Sequence, residues 1–181
     1  SESDGIDTRF SAKIDDIPYD RMFTFEMIGY NFLPSEIGAA FGLEQIKRLD
    51  NFIEKRIKHF QEITKFFKDY DHWFILPRQS ENTFTAWLAV PLIVRDKAPF
   101  TRKDLQIHFE ERGIQTRTVF TGNILRQSGF KNIPHRATPD GYPNSDQVMR
   151  GGILIGCHHG MEKKQISYIF EIFYNFVKKY I

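Results

Sequence analysis

Cysteine is almost missing from this sequence: one residue, Cys157, in 181. A lone thiol cannot form an internal disulfide, so a disulfide framework is excluded and a reducing, cytoplasmic setting is expected. No apolar run approaches the ~20 residues of a membrane span, so no spanning helix is expected, and no basic-then-apolar leader opens the chain. There is no glycine-rich phosphate loop of the usual spacing and no metal-ligand signature. Charge of one sign is also scarce: 25 Lys and Arg stand against 23 Asp and Glu, for a net charge of +2. The basic residues are dispersed, which argues against a nucleic-acid surface. Ser1-Glu2-Ser3-Asp4-Gly5 lacks an initiator Met. It reads as a cut through a longer protein, the alternative being a processed N-terminus.

Phenylalanine is abundant, with 18 residues, and hydrophobic residues make up 41% of the chain. A fully buried Phe contributes roughly 1.5–3 kcal/mol, so a sizeable core is expected. The length suits one domain, or one domain plus a fragment of another.

Phe23 to Ile28 reads as a short strand or buried extended segment, followed by a loop through Gly29-Tyr30-Asn31-Phe32-Leu33-Pro34. Ser35 is a plausible N-cap, with Glu36 favourable in the first turn. A long helix is expected from about Glu36 to Tyr70, breaking once near Asp50-Asn51. Ile46, Leu49, Ile53, Phe60, Ile63, Phe67 and Tyr70 form its apolar stripe. Gly38, Ala39, Ala40 and Gly42 permit close approach of another backbone. Trp73–Leu76 and Trp87–Val94 read as strands. Thr101 caps a helix through Glu111, which Gly113 stops. Gln115–Phe120 alternates as a half-buried strand does, and Gly122 to Tyr142 is loop-rich. Asn144 or Ser145 caps a short helix to Met149, and Ile153–Ile155 is a strand. A last helix runs from Met161 to Tyr180 with Ile166, Ile169, Phe170, Phe173, Val177 and Tyr180 buried. The order predicts a compact α/β (α+β) domain entered by a long helix.

Few residues invite a chemical reading. His158-His159 lies between glycines after a strand, where exposed functional loops sit. Neighbouring residues diverge in direction, so the pair is a poor metal site. One of them touching a ligand is the functional reading and a polar loop the plain one. His159 is a candidate catalytic group and His158 a candidate substrate contact. Cys157 reads as a small buried residue rather than a nucleophile. Lys13 lies in a polar segment with nothing to depress its pKa, as a Schiff-base lysine requires. In Gly29-Tyr30-Asn31 an amide and a hydroxyl stand before a helix N-terminus, which favours phosphate; a simple turn is the alternative. Arg117, Asn123, Arg126 and Gln127 follow a strand, where guanidinium and amide groups grip phosphate or sugar hydroxyls; a surface loop with a salt bridge is the alternative.

Ile28-Gly29-Tyr30-Asn31-Phe32, with Glu36-Ile37-Gly38-Ala39-Ala40-Phe41-Gly42-Leu43-Glu44-Gln45-Ile46, resembles the DegT/DnrJ/EryC1/StrS family. These enzymes are nucleotide-sugar aminotransferases and dehydratases that use pyridoxal phosphate. Gly113-Ile114-x-Thr116-Arg117, Phe120-x-Gly122-Asn123-Ile124-x-Arg126-Gln127, Asn144-Ser145-Asp146 and Ile155-Gly156 are similar to its sugar 3-dehydratase branch. The resemblance implies the C-terminal part of a fold-type I homodimer. Residues 1–34 would be a remnant of the large cofactor domain, 35–71 a long connecting helix, and 72–181 a small C-terminal domain.

By the same resemblance, Asn31 reaches the cofactor phosphate across the dimer interface, with Tyr30 beside it. Arg117, Asn123 and Arg126 would face the nucleotide sugar. The Schiff-base lysine would lie upstream, so the fragment alone is expected to be inactive, and a histidine replacing that lysine remains open. The iron–sulfur cluster of some dehydratases is not expected, because no cysteine precedes Arg9-Phe10. The implied activity is removal of the C3 hydroxyl from nucleotide-linked 4-keto-6-deoxyhexoses in surface-polysaccharide (lipopolysaccharide) synthesis. It would use pyridoxal or pyridoxamine 5'-phosphate. The alternatives are a glutamate-dependent sugar aminotransferase and a non-catalytic dimerisation or ligand-binding module.

Overall fold

The computed structural model describes residues 12–14, 17–19, 24, 28–30 and 32–181, in two units, Ser1–Glu44 and Gln45–Ile181. In the first unit, β1 (Ala12–Ile14) pairs antiparallel with β2 (Ile17–Tyr19), Ala12 facing Tyr19. The sequence reading did not anticipate this hairpin. Pro18 sits in it without breaking a ladder because a two-stranded sheet leaves each strand an open edge. Asn31 and most of the strand expected over 23–28 lie outside the described residues.

Ser35 starts α1 (Glu36–Ile46): its carbonyl accepts from the Ala39 N–H at 2.9 Å and its hydroxyl from Gly38 N–H at 3.5 Å. No residue of α1 is buried. A turn at Lys47-Arg48, closed by Arg48 N–H to the Gln45 carbonyl at 3.0 Å, separates α1 from α2 (Leu49–Lys68). The break expected near Asp50-Asn51 thus falls earlier, at a point no glycine or proline marks.

In the second unit, α2 buries His59, Phe60, Ile63 and Phe67. The stripe predicted from Ile46 onward is interred only in the C-terminal half; Ile46 and Leu49 are exposed. After α2 come β3 (Phe74–Ile75), β4 (Ala89–Val94), α3 (Arg102–Glu110), β5 (Thr116–Thr118), α4 (Pro143–Gly151), β6 (Gly152–Gly156) and α5 (Lys163–Val177). The sheet is antiparallel with order β3-β4-β6-β5. Pro91 fits in β4 because β3 pairs only with Ile93 and Val94, leaving the missing N–H no strand to serve.

Strand alternation gives the sheet two faces. Phe74, Val94, Leu92, Ile153, Val90, Ile155 and Thr116 are buried on one, against α2, α3 and α5. Phe67, Phe74, Phe109 and Phe173 are fully buried, and Phe67 meets Phe173 edge-on with ring centroids 4.8 Å apart. On α5, Ile172 and Phe176 are buried in addition to the predicted residues, while Phe170 and Tyr180 are half-buried. The other face carries Pro91, Leu154 and Arg117 in one row.

Helix α3 begins with a capping box. Thr101 Oγ1 accepts from Asp104 N–H at 3.2 Å, and Asp104 Oδ2 accepts from Thr101 N–H at 2.8 Å. Helix α4 starts at Pro143 with Tyr142 as N-cap, two or three residues before the predicted cap, Asn144 or Ser145. Proline at the first helical position needs no N–H partner, so it opens the helix without a side-chain cap. Helix α4 then runs straight into β6. A side chain on Gly151 would collide with the Val94 carbonyl, so this join requires a residue without a Cβ.

Candidate functional site

The row Pro91–Leu154–Arg117 leads into a pocket of ≈620 Å³ whose walls include Leu88, Ala89, Leu154, Met161, Tyr168 and His158. The lining is mostly apolar, with Arg117 and His158 as its basic groups. Arg117 is exposed on β5. Tyr168 Oη donates to the Arg112 carbonyl at 3.1 Å, fixing one wall. Such a cavity, apolar with a few convergent polar groups, is what ligand sites commonly look like.

His158 and His159 part company at this edge. Their rings are 6.4 Å apart and nearly perpendicular. The Nδ1 of His158 accepts from Gly160 N–H at 3.1 Å, so in the neutral ring the proton sits on Nε2. Its carbonyl accepts from His59 Nδ1–H at 3.1 Å, which anchors the loop to α2. His159 instead stacks on Phe52 of α2 with centroids 3.8 Å apart. Its Nδ1 is buried, with no hydrogen-bond partner among the described residues. Desolvation first, then the charge of Arg56, pushes the His159 pKa down, favouring the neutral ring. Among the described residues there is no cluster of His, Cys, Asp and Glu able to hold a metal.

Cys157, just before these histidines, is fully buried. Its Sγ–H donates to the Trp87 carbonyl at 3.4 Å, and burial pushes the thiol up to about 11. Arg56 donates to the same carbonyl at 3.5 Å, and Trp87 stacks on Phe60 at 4.1 Å. The thiol is a packing element at this edge.

Asn123 and Arg126 do not line the pocket with Arg117 and His158. They converge on Asp146 of α4. Arg126 Nε and Nη2 donate to its two carboxylate oxygens at 2.5 and 2.6 Å, and Asn123 Nδ2 donates to Oδ1 at 2.7 Å. Hydrogen bonds from Arg126 and then Asn123 hold the Asp146 carboxyl well below the usual carboxylate range, and the same pair raises Arg126. Asn123 is buried, and its Oδ1 also accepts from Leu125 N–H at 3.1 Å. The salt bridge that was the plain reading of this segment is thus present. Sequence reasoning named the Asn144-Ser145-Asp146 motif but missed Asp146 as the hub, for which carboxylate–guanidinium complementarity was the available signal. Tyr30 lies in the first unit, 86% exposed, before α1.

Comparison with known proteins places this geometry. Residues 11–174 match the DegT/DnrJ/EryC1/StrS aminotransferase family. The chain is 28% identical over 170 residues to lipopolysaccharide biosynthesis protein RfbH of Salmonella typhimurium, covering 93% of this chain and 39% of that protein. It is 29% identical over 155 residues to GDP-4-keto-6-deoxy-D-mannose 3-dehydratase of Yersinia pseudotuberculosis, covering 86% of this chain and 39% of the relative. A crystal structure of GDP-4-keto-6-deoxymannose-3-dehydratase with a trapped PLP-glutamate geminal diamine superposes with a TM-score of 0.70 at 28% identity. The superposition covers 83% of this chain and 38% of that one. The chain therefore spans about two-fifths of the length of these relatives. Its small antiparallel sheet flanked by helices is part of the fold-type I architecture, and the chain belongs to the DegT/DnrJ/EryC1/StrS aminotransferase family.

Proposed function

We propose that this chain is the C-terminal part of an enzyme that removes the C3 hydroxyl from a nucleotide-linked 4-keto-6-deoxyhexose during surface-polysaccharide synthesis. The observation that carries this reading is likeness over nearly the whole chain to RfbH and to a 3-dehydratase. In the parent, residues 1–34 belong to the large domain, 35–71 form the connecting segment that carries α1 and α2, and 72–181 the small domain. The parent works in the cytoplasm as a homodimer. The exposed apolar residues Ile28, Phe32, Leu33, Ile37, Phe41 and Leu43 support an interface over residues 28–43.

Pyridoxamine phosphate, held in the parent, supplies the amine for the C4 ketone and an electron sink for the bond changes. Tyr30 is solvent-exposed and Asn31 is outside the described residues. The described residues do not form a cradle for the cofactor phosphate by themselves. What this chain contributes is substrate recognition. Arg117 supplies the charge for the substrate's phosphates. His158, its Nδ1 tied to Gly160, offers Nε2–H to an oxygen acceptor. The mostly apolar pocket wall offers a surface for the carbon skeleton of the substrate beside them.

Transamination with glutamate is the second reading, favoured by the aminotransferase character of the matched family. The full-length parent, incubated with pyridoxal phosphate, glutamate and GDP-4-keto-6-deoxymannose, decides between them by the mass of the sugar product. Loss of the C3 oxygen supports dehydration; an amine in place of the ketone makes it an aminotransferase. An unchanged sugar across several nucleotides refutes both and leaves a binding or dimerisation role.

A further inference from the structure

The segment between β5 and α4 is built to hold one side chain outward. Phe120 is a non-glycine residue at φ +40°, and its side chain is 89% exposed. Both features are unfavourable: left-handed backbone strains a residue with a Cβ, and an exposed ring is hydrated. A sequence that needed only a turn here would carry Gly or Asn.

The surroundings over-determine the conformation. Thr118 Oγ1 donates to the Phe120 carbonyl at 3.3 Å. Gly122 N–H closes a turn on the Val119 carbonyl at 3.1 Å. Gly122 itself has φ +61°, and an added Cβ would lie 2.5 Å from Met149 Cβ, so the segment is pressed onto α4. Gln127 Nε2 donates to the Thr121 carbonyl at 3.3 Å, and Asp146 takes Arg126 and Asn123 together. Asp146 is only 16% exposed, whereas Arg126 is 60% exposed, so the carboxylate is the more enclosed partner of the pair. Strain held this firmly, with the ring 89% exposed among the described residues, is characteristic of a ligand contact.

We propose that Phe120 contacts the substrate through a flat apolar surface, either the nucleobase or the carbon face of the hexose, and that Asp146 is its positioning residue. This rests on the nucleotide-sugar reading above. It also reassigns Arg126: with its fork filled by Asp146, its charge is already matched, and it acts as half of a latch.

The test uses the full-length parent and calorimetric binding of GDP and of a GDP-linked hexose, which does not depend on turnover. By the usual strength of aromatic stacking on a base, Phe120→Leu should weaken binding roughly fivefold or more, and Phe120→Tyr should restore it. Weakening of both ligands identifies the base as the stacked surface; weakening of the GDP-hexose alone identifies the sugar. Asp146→Asn should weaken the same ligand and speed amide hydrogen exchange across residues 120–127. Wild-type affinity in Phe120→Leu, or lost affinity that Phe120→Tyr fails to restore, overturns the assignment of Phe120. Unchanged exchange in Asp146→Asn overturns the positioning role. Failure of the wild-type protein to bind either ligand overturns the nucleotide-sugar reading and this inference with it, whereas wild-type binding with an indifferent Phe120→Leu overturns this inference alone.

Discussion

Gly122→Ala and Gly113→Ala make a matched pair that separates backbone strain from crowding. Both glycines have positive φ, +61° and +73°. A Cβ in left-handed backbone costs about 1–2 kcal/mol per residue, and this applies to both. Around Gly113 no heavy atom lies within 4 Å of the added Cβ, so strain is the whole cost. At Gly122 the added Cβ would meet Met149 Cβ at 2.5 Å and its Cα at 2.7 Å, so α4 or the loop must move. Overpacking of that kind costs about 1–3 kcal/mol more, for a total of about 2–5 kcal/mol. Urea unfolding measures the difference. With a slope of about 1–3 kcal/mol per molar urea, Gly122→Ala should unfold at roughly 1 M lower urea than Gly113→Ala. Equal midpoints would refute the claim that the 120–127 segment is pressed onto α4. The positioning of Phe120 would then lose its structural basis.

Removing the α3 cap by Thr101→Ala should cost about 1 kcal/mol in the same assay, because it deletes the acceptor of Asp104 N–H. Cys157 should resist alkylation at neutral pH in the native state and react fully once unfolded, since its thiol is buried and raised to about 11; rapid native labelling would contradict this. His108 and His159 both have pKa values lowered from 6.5, chiefly by desolvation. The unfolded chain therefore takes up these protons at higher pH than the folded one. The stability they contribute is complete above about pH 6.5 and is lost as pH falls through their lower folded values. Thermal unfolding should occur at lower temperature at pH 5 than at pH 7.5, and His108→Gln should flatten that dependence. A melting temperature that rises on acidification would be incompatible with neutral buried rings.

Much of the architecture was legible because it rests on local pattern. The apolar run ending at Val94 and the three- and four-residue spacing along α5 are local patterns of strand and helix, and each element lies within the range expected. The α3 cap is a local Thr-x-x-Asp pattern and was equally readable. The Gly-Tyr-Asn and Phe-x-Gly-Asn-x-x-Arg-Gln motifs carried the family. The break at Lys47-Arg48 was misplaced because no Gly or Pro announces it. The start of α4 was misplaced because Pro143, not a polar cap, opens it.

The site divided differently. Arg117, Asn123, Arg126 and His158 could be picked out singly by residue type, yet their grouping depends on partners 20 or more residues away. Only the antiparallel pairing of β5 with β6 brings Arg117 to the pocket that His158 lines. Only the packing of α4 against the loop gives Asp146 both Asn123 and Arg126. The tautomer of His158, by contrast, is set locally, by the N–H of Gly160 two residues on. The sequence by itself determined the elements and the family, because periodicity, caps and motifs are short-range. The tertiary structure decided which side chains share a pocket and which are locked in a latch, because hydrogen-bond geometry and close packing exist only once distant segments meet.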